Sequence, residues 1–105
     1  MRALAVLLIV LSVALWRYTT RAAANGEIAR GAALAHACAA CHGPNGRSQG
    51  AIPSIETLSP EEVIVALTAF RAGTRQGTVM LQIAKGLDEA DIHAVAAYMA
   101  TLRGR

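Results

Sequence analysis

The sequence predicts an all-α fold, and three observations carry that expectation. Apolar residues recur at helical spacing in the stretches that follow residues 26, 59 and 88. Two of these stretches open on capping residues, and glycines stand where helices should stop. No segment alternates apolar and polar residues in the manner of a strand.

The chain opens on Arg2 and then an apolar run over residues 3–16, ALAVLLIVLSVALW, interrupted by Ser12 alone. Arg17 and Arg21 follow, and Ala22 and Ala24 form an A-x-A pattern before Asn25. A basic start, an apolar middle and small residues at a cleavage point predict a signal peptide over residues 1–24. The run is shorter than the ~20 apolar residues of a full membrane span. The alternative is an uncleaved N-terminal anchor that tethers the protein to the inner membrane. Both readings export a domain over residues 25–105 to the periplasm.

The first helix of that domain is expected from about Glu27 to Cys38, with Gly31 and Leu34 on one face. Ala32, Ala33, Ala35 and Ala37 support it, because alanine loses no side-chain entropy in a helix. The next stretch, HGPNGRSQGAIPSI, is rich in turn formers and reads as a loop. Ser59, Pro60 and Glu62 then make an S-x-x-E capping box with proline at the first helical position. Leu58 and Val63 are spaced as a hydrophobic staple, Ala66, Leu67 and Phe70 continue the apolar face, and Gly73 marks the stop. A short helix is expected from Val79 to Lys85, closed by Gly86. The last helix is expected to start at Asp88 as N-cap, with Glu89 and Asp91 favourable to its dipole and Val95, Tyr98, Met99 and Leu102 on its apolar face.

Charge excludes one class of function. The chain holds ten Lys and Arg against seven Asp and Glu, but Arg2, Arg17 and Arg21 lie in the leader. The exported domain is therefore formally neutral and lacks the basic footprint of a nucleic-acid binder. Its core is also thin, with Phe70 and Tyr98 as its only aromatic residues. A domain this small usually needs a disulfide, a metal or a cofactor to hold it together.

The only two cysteines stand in CAACHGPNG, at Cys38 and Cys41, with His42 directly after the second. A redox dithiol of this spacing should follow a strand in a βαβ context, which the sequence lacks. Structural zinc wants four ligands, and His36 and His93 are the only further histidines. A disulfide across so short a loop stabilises little. Covalent haem uses all three residues: two thiols become thioethers, and His42 falls under the iron as proximal ligand. One covalently attached haem c is the expected cofactor, and the macrocycle would fill the thin core.

With GAALAHACAACHG, a Gly/Pro loop, a middle helix, a methionine and a terminal AAYM helix, residues 26–103 resemble class I cytochrome c. The resemblance implies a small fold of helices packed around one haem. It implies a crossing of the first and last helices at Gly31, Leu34 and Tyr98. It places the distal iron ligand at Met80, in RQGTVMLQIAKG, which suits a soft, flexible thioether in a helix-linking segment. Met99 is expected to pack in the core, and His36 and His93 to lie at the surface. The resemblance makes the carbonyl of Pro53 the acceptor for the His42 ring, with Pro44 a turn former. Arg47 is read either as a contact to a haem propionate or as an exposed loop arginine.

IPSI and FRAGTRQGTVMLQIAKGLDEADIHAVAAYM are further similar to the cytochrome subunit of flavocytochrome c sulfide dehydrogenase. That likeness implies an electron-transfer subunit with no catalytic residues of its own, which accepts electrons from an FAD-containing flavoprotein. The alternatives are a generic diffusible c4/c5-type carrier and, more remotely, a five-coordinate haem enzyme or sensor.

Overall fold

Among the described residues there are four helices, and two of them start on side-chain caps. The computed structural model describes residues 1–103. Helix α1 spans Arg2–His42, α2 Pro60–Ala72, α3 Val79–Lys85 and α4 Glu89–Leu102, with one 3-10 turn at Pro44–Gly46. Helix α2 begins with the reciprocal box: the Ser59 hydroxyl accepts from the Glu62 backbone N–H at 3.2 Å, and the Glu62 carboxylate accepts from the Ser59 N–H at 2.7 Å. It ends on Gly73 in the left-handed conformation. Helix α4 begins with a second box built from two aspartates. Asp88 Oδ1 accepts from the Asp91 N–H at 2.7 Å, and Asp91 Oδ2 accepts from the Asp88 N–H at 3.1 Å.

Helix α1 is longer than the sequence suggests. The expected start near Glu27 is no boundary, because the helix runs unbroken from Arg2. The physical reason is the lack of any strong breaker. Residues 17–25 hold no proline, and Gly26, with open space around it, costs only about 1 kcal/mol in a helix. Forty-one residues at about 1.5 Å each make a rod of roughly 60 Å, which sets the 67 Å long axis of the molecule. Residues 1–27 are exposed along the whole rod, and Ile28 is the first to be partly covered.

The core lies where α4 is held between α1 and α2. Val63 and Leu67 of α2 pack with Ile92, Val95, Ala96 and Met99 of α4, and Leu34, Ile55, Met80 and Tyr98 close its margins. The buried face of α4 is wider than the sequence stripe and includes Ala94, because two helices press on it from different sides. Helix α1 crosses α4 at Gly31, which is buried. A Cβ there would overlap the Ala94 carbonyl and lie 2.8 Å from Tyr98 Cβ, so only glycine permits this approach. Beside the crossing, Arg30 Nε donates to Asp91 Oδ1 at 2.8 Å, locking α1 to the cap of α4.

Candidate haem site

The site is built at the C-terminal end of α1. Cys38 and Cys41 are one helical turn apart, and His42 is the last helical residue. Gly43 then turns the chain sharply at φ 85, ψ 167, a conformation nearly confined to glycine. Its N–H closes the helix on the Ala39 carbonyl at 3.0 Å. The 3-10 turn at Pro44 follows, with Asn45 left-handed at φ 54. The Gly46 carbonyl accepts from the N–H groups of Ile55 and Glu56 at 2.8 and 3.2 Å, which folds the loop back against the helix end.

That fold-back brings Pro53 to His42. The His42 ring is buried, and its Nδ1 lies 2.6 Å from the Pro53 carbonyl oxygen. A carbonyl only accepts, so Nδ1 carries the proton and Nε2 keeps its lone pair for a metal. Beside Cys38 lies a cavity of about 210 Å³, lined mainly by Ala35, Ala39, Ile55, Tyr98, Met99 and Leu102. Two free thiols on one turn and a ring nitrogen with an oriented lone pair are the donor set that a covalent haem requires, and Cys38 alone of the three also lines the apolar hollow.

Cys38 is not set up as a reactive thiolate. Burial pushes the Cys38 thiol above its ordinary pKa. A nucleophilic or redox cysteine needs the opposite shift. Among the described residues no three His, Cys, Asp or Glu side chains converge as a metal cluster.

The other sequence-designated residues sit as follows. Met80 is in the first turn of α3, partly buried against the core, while Met99 lies inside that core at 6% exposure. The two methionines thus occupy different environments, one at a margin and one enclosed. His36 and His93 are exposed. Arg47 is exposed, and its Nε donates to Glu56 Oε2 at 2.6 Å, so its established partner is a carboxylate of the same loop.

Sequence reasoning missed the clamp that sets the start of α3. The Arg75 guanidinium stacks over the Phe70 ring, 4.8 Å from its centroid. Gly77 passes so close that a Cβ would lie 2.9 Å from Phe70 Cε1. The segment between α2 and α3 is thereby folded back onto α2, three residues ahead of Met80. The only sequence signal was the pair of glycines at 73 and 77 with an arginine between them.

Comparison with known proteins agrees with this geometry. A family model described as cytochrome c matches residues 28–103. The cytochrome subunit of sulfide dehydrogenase from Chlorobaculum tepidum is 45% identical over 73 residues, covering 70% of this chain and 66% of that protein. Cytochrome c-554(547) from Halothiobacillus neapolitanus is 34% identical over 90 residues, covering 74% of this chain and 99% of that one. Cytochrome c-552 from Acidithiobacillus ferridurans is 41% identical over 66 residues, covering 63% of this chain but only 29% of its relative. This chain therefore spans just under two thirds of the first relative and under a third of the third.

Proposed function

The chain belongs to the cytochrome c family, and on that footing we propose that it is a periplasmic carrier that accepts single electrons from the FAD-containing flavoprotein of a sulfide dehydrogenase. It is an electron-transfer protein with one covalently attached haem c, and Cys38, Cys41 and His42 are the C-x-x-C-H motif that fits the group. In this reading Cys38 and Cys41 provide the thioether sulfurs, His42 Nε2 the proximal ligand and Met80 Sδ the distal one. The bound haem supplies a one-electron iron couple whose potential Met/His ligation raises. The chain's own task is to hold ligands still and to exclude water. Pro53 fixes the His42 ring and its tautomer, and the Phe70–Arg75 stack sets the turn that carries Met80. Arg47 is read as balancing charge at the loop edge, through Glu56 and toward a propionate.

The observation that carries the reading is the buried, oriented His42 with its Nδ1 committed to Pro53. It supports a fixed iron ligand and offers no proton to a substrate. The donor assignment is supported by the 45% identity to a cytochrome subunit of sulfide dehydrogenase. A generic diffusible c4/c5-type carrier is the second reading. The likeness to cytochrome c-554(547), over 99% of that protein, favours it.

The domain's formal neutrality makes long-range steering weak. From Val63 to Leu87 the chain holds Arg71, Arg75 and Lys85 and no acid, so the stretch around Met80 is locally basic. Stopped-flow reduction by sulfide, with and without the flavoprotein and at low and high salt, tests the proposal. Acceleration by the flavoprotein that persists at high salt is expected. No acceleration over the cytochrome alone would remove the sulfide reading and leave the generic carrier. Acceleration that collapses steeply with salt would keep the donor and assign the docking to the basic stretch.

A further inference from the structure

We propose that Ser54 is a positioning residue for the iron ligand: its hydroxyl ties the returning arm of the loop to Ser48 and so holds the Pro53 carbonyl on the His42 ring. The proposal rests on the reading of His42 as proximal ligand and is independent of the electron donor.

The geometry of the peptide unit makes the residue after Pro53 decisive. The carbonyl of Pro53 and the N–H of Ser54 belong to one rigid plane. The proline ring fixes φ on one side of that plane, but ψ of Pro53 is free to swing it unless Ser54 is held. A swing carries the carbonyl oxygen away from Nδ1 of His42, which it meets at 2.6 Å.

Ser54 is held by its side chain. Its Oγ accepts from the Ser48 N–H at 2.9 Å and donates to the Ser48 carbonyl oxygen at 3.4 Å. A hydroxyl can do both at once. The other ties of the loop lie further from Pro53. The Gly46 carbonyl takes the N–H groups of Ile55 and Glu56, and Arg47 takes the Glu56 carboxylate. They fix the neck of the loop, and the Ser54 hydroxyl carries that fixation to the plane that holds the carbonyl.

Ser48 is a firm post for this tie. A Cβ on Gly43 would overlap the Arg47 carbonyl and lie 3.0 Å from Ser48 Cα. Gly43 directly follows His42, so the backbone at Ser48 is pressed against the helix end that carries the ligand. The contacts close a ring: Gly43 against Ser48, Ser48 to Ser54, Ser54 through its peptide to Pro53, and Pro53 back to His42. Because the ring starts and ends on adjacent residues, it places the carbonyl in the ligand's own frame.

The consequence is electronic. A hydrogen bond from the ring N–H makes the histidine a stronger donor and favours oxidised iron. Ser54 lies exposed at the edge of the domain, away from the packed face of α4. Its hydroxyl therefore holds the potential down without any part in the core.

The test uses the haem-loaded full chain and three variants, Ser54→Ala, Ser54→Thr and Ser48→Ala. Potentiometric titration gives the reduction potential, and nitrogen-15 NMR gives the exchange rate of the His42 Nδ1 proton. Matching Soret bands report an intact haem pocket in all of them. Ser54→Ala should raise the potential and exchange the Nδ1 proton several times faster. Ser54→Thr keeps the hydroxyl and should restore both values. Ser48→Ala should leave both in place, because Ser48 lends the tie only its backbone, while its own hydroxyl serves the Gly50 N–H at 3.3 Å. A Ser54→Ala protein with a lower unfolding midpoint but an unchanged potential and exchange rate would mark a purely structural serine and overturn the proposal. So would an equal shift in Ser48→Ala. A parent protein whose His42 ring resonances are not displaced by the iron would overturn the ligand reading and this proposal with it. Displaced resonances in the parent with no response to Ser54→Ala would overturn this proposal alone.

Discussion

His42 Nδ1 and the carbonyl oxygen of Pro53 stand 2.6 Å apart, a contact that joins the end of α1 to a point eleven residues further along the chain. The proline ring stiffens the loop that aims this carbonyl. Hydrogen bonding to the ring N–H makes the histidine a more basic ligand, which favours oxidised iron. Pro53→Gly should loosen the bond and raise the reduction potential. A net hydrogen bond of about 1 kcal/mol corresponds to roughly 40 mV in a one-electron couple. Potentiometric titration of both proteins checks this. An unchanged potential would mean that the carbonyl keeps its place without the proline.

Gly31→Ala should be among the most damaging single-methyl changes in the domain. The added carbon meets the backbone carbonyl of Ala94, which has no rotamer to escape into. Overpacking of this kind costs about 1–3 kcal/mol or more. Gly26→Ala, with nothing within 4 Å, is the control and should not destabilise. Guanidinium titrations of the haem-loaded proteins separate the two. Equal midpoints for both variants would show that the crossing adjusts easily.

Met80 and Met99 should respond oppositely. Met80→Ala should remove the thioether-to-iron charge-transfer band of the oxidised protein and lower the potential, since Met/His ligation raises it. Met99→Leu exchanges one enclosed apolar side chain for another of similar volume and should cost less than about 1.5 kcal/mol, with the band intact. Loss of the band in the second variant alone would assign the ligand to Met99.

Acid stability should depend on Asp91. The hydrogen bond from Arg30 chiefly, with the Asp88 backbone N–H second, holds the Asp91 carboxyl below its ordinary pKa. A carboxyl lowered in the folded state adds stability that is in place above the ordinary aspartate value of about 3.9. That stability is lost as pH falls through the folded value. Asp91→Asn should therefore be less stable near neutrality and show a flatter decline below about pH 4. Arg30 is more than half exposed, so the difference should shrink in high salt. Parallel pH profiles for the two proteins would contradict the assignment.

Much of the fold is legible locally. The box at Ser59, the stop at Gly73, the short helix Val79–Lys85 and the N-cap at Asp88 all follow from interactions within a few residues. The start of α1 is not legible in this way, because a switch from apolar leader to domain is a change in environment, and the backbone crosses it without a break. Asp91 reads in sequence as a dipole-friendly acid. Its second role, as partner of Arg30, joins residues 61 apart and leaves no local trace. The candidate site divides similarly. Cys38, Cys41 and His42 are contiguous and stand out, whereas the Arg47–Glu56 and Arg75–Phe70 pairings depend on how loops close.

The weight that α4 carries in the core has a consequence for biosynthesis. Among the described residues, five of the eight buried apolar ones, Ile92, Ala94, Val95, Ala96 and Met99, belong to this final helix. A nascent chain that has delivered Cys38 still lacks Tyr98, Met99 and Leu102 of α4, which line the cavity beside it. The domain must remain open until its last residues have left the ribosome. The same delay leaves Cys38 open to haem attachment before docking of α4 across Gly31 closes the core, whereas Cys41 is exposed in the folded domain as well.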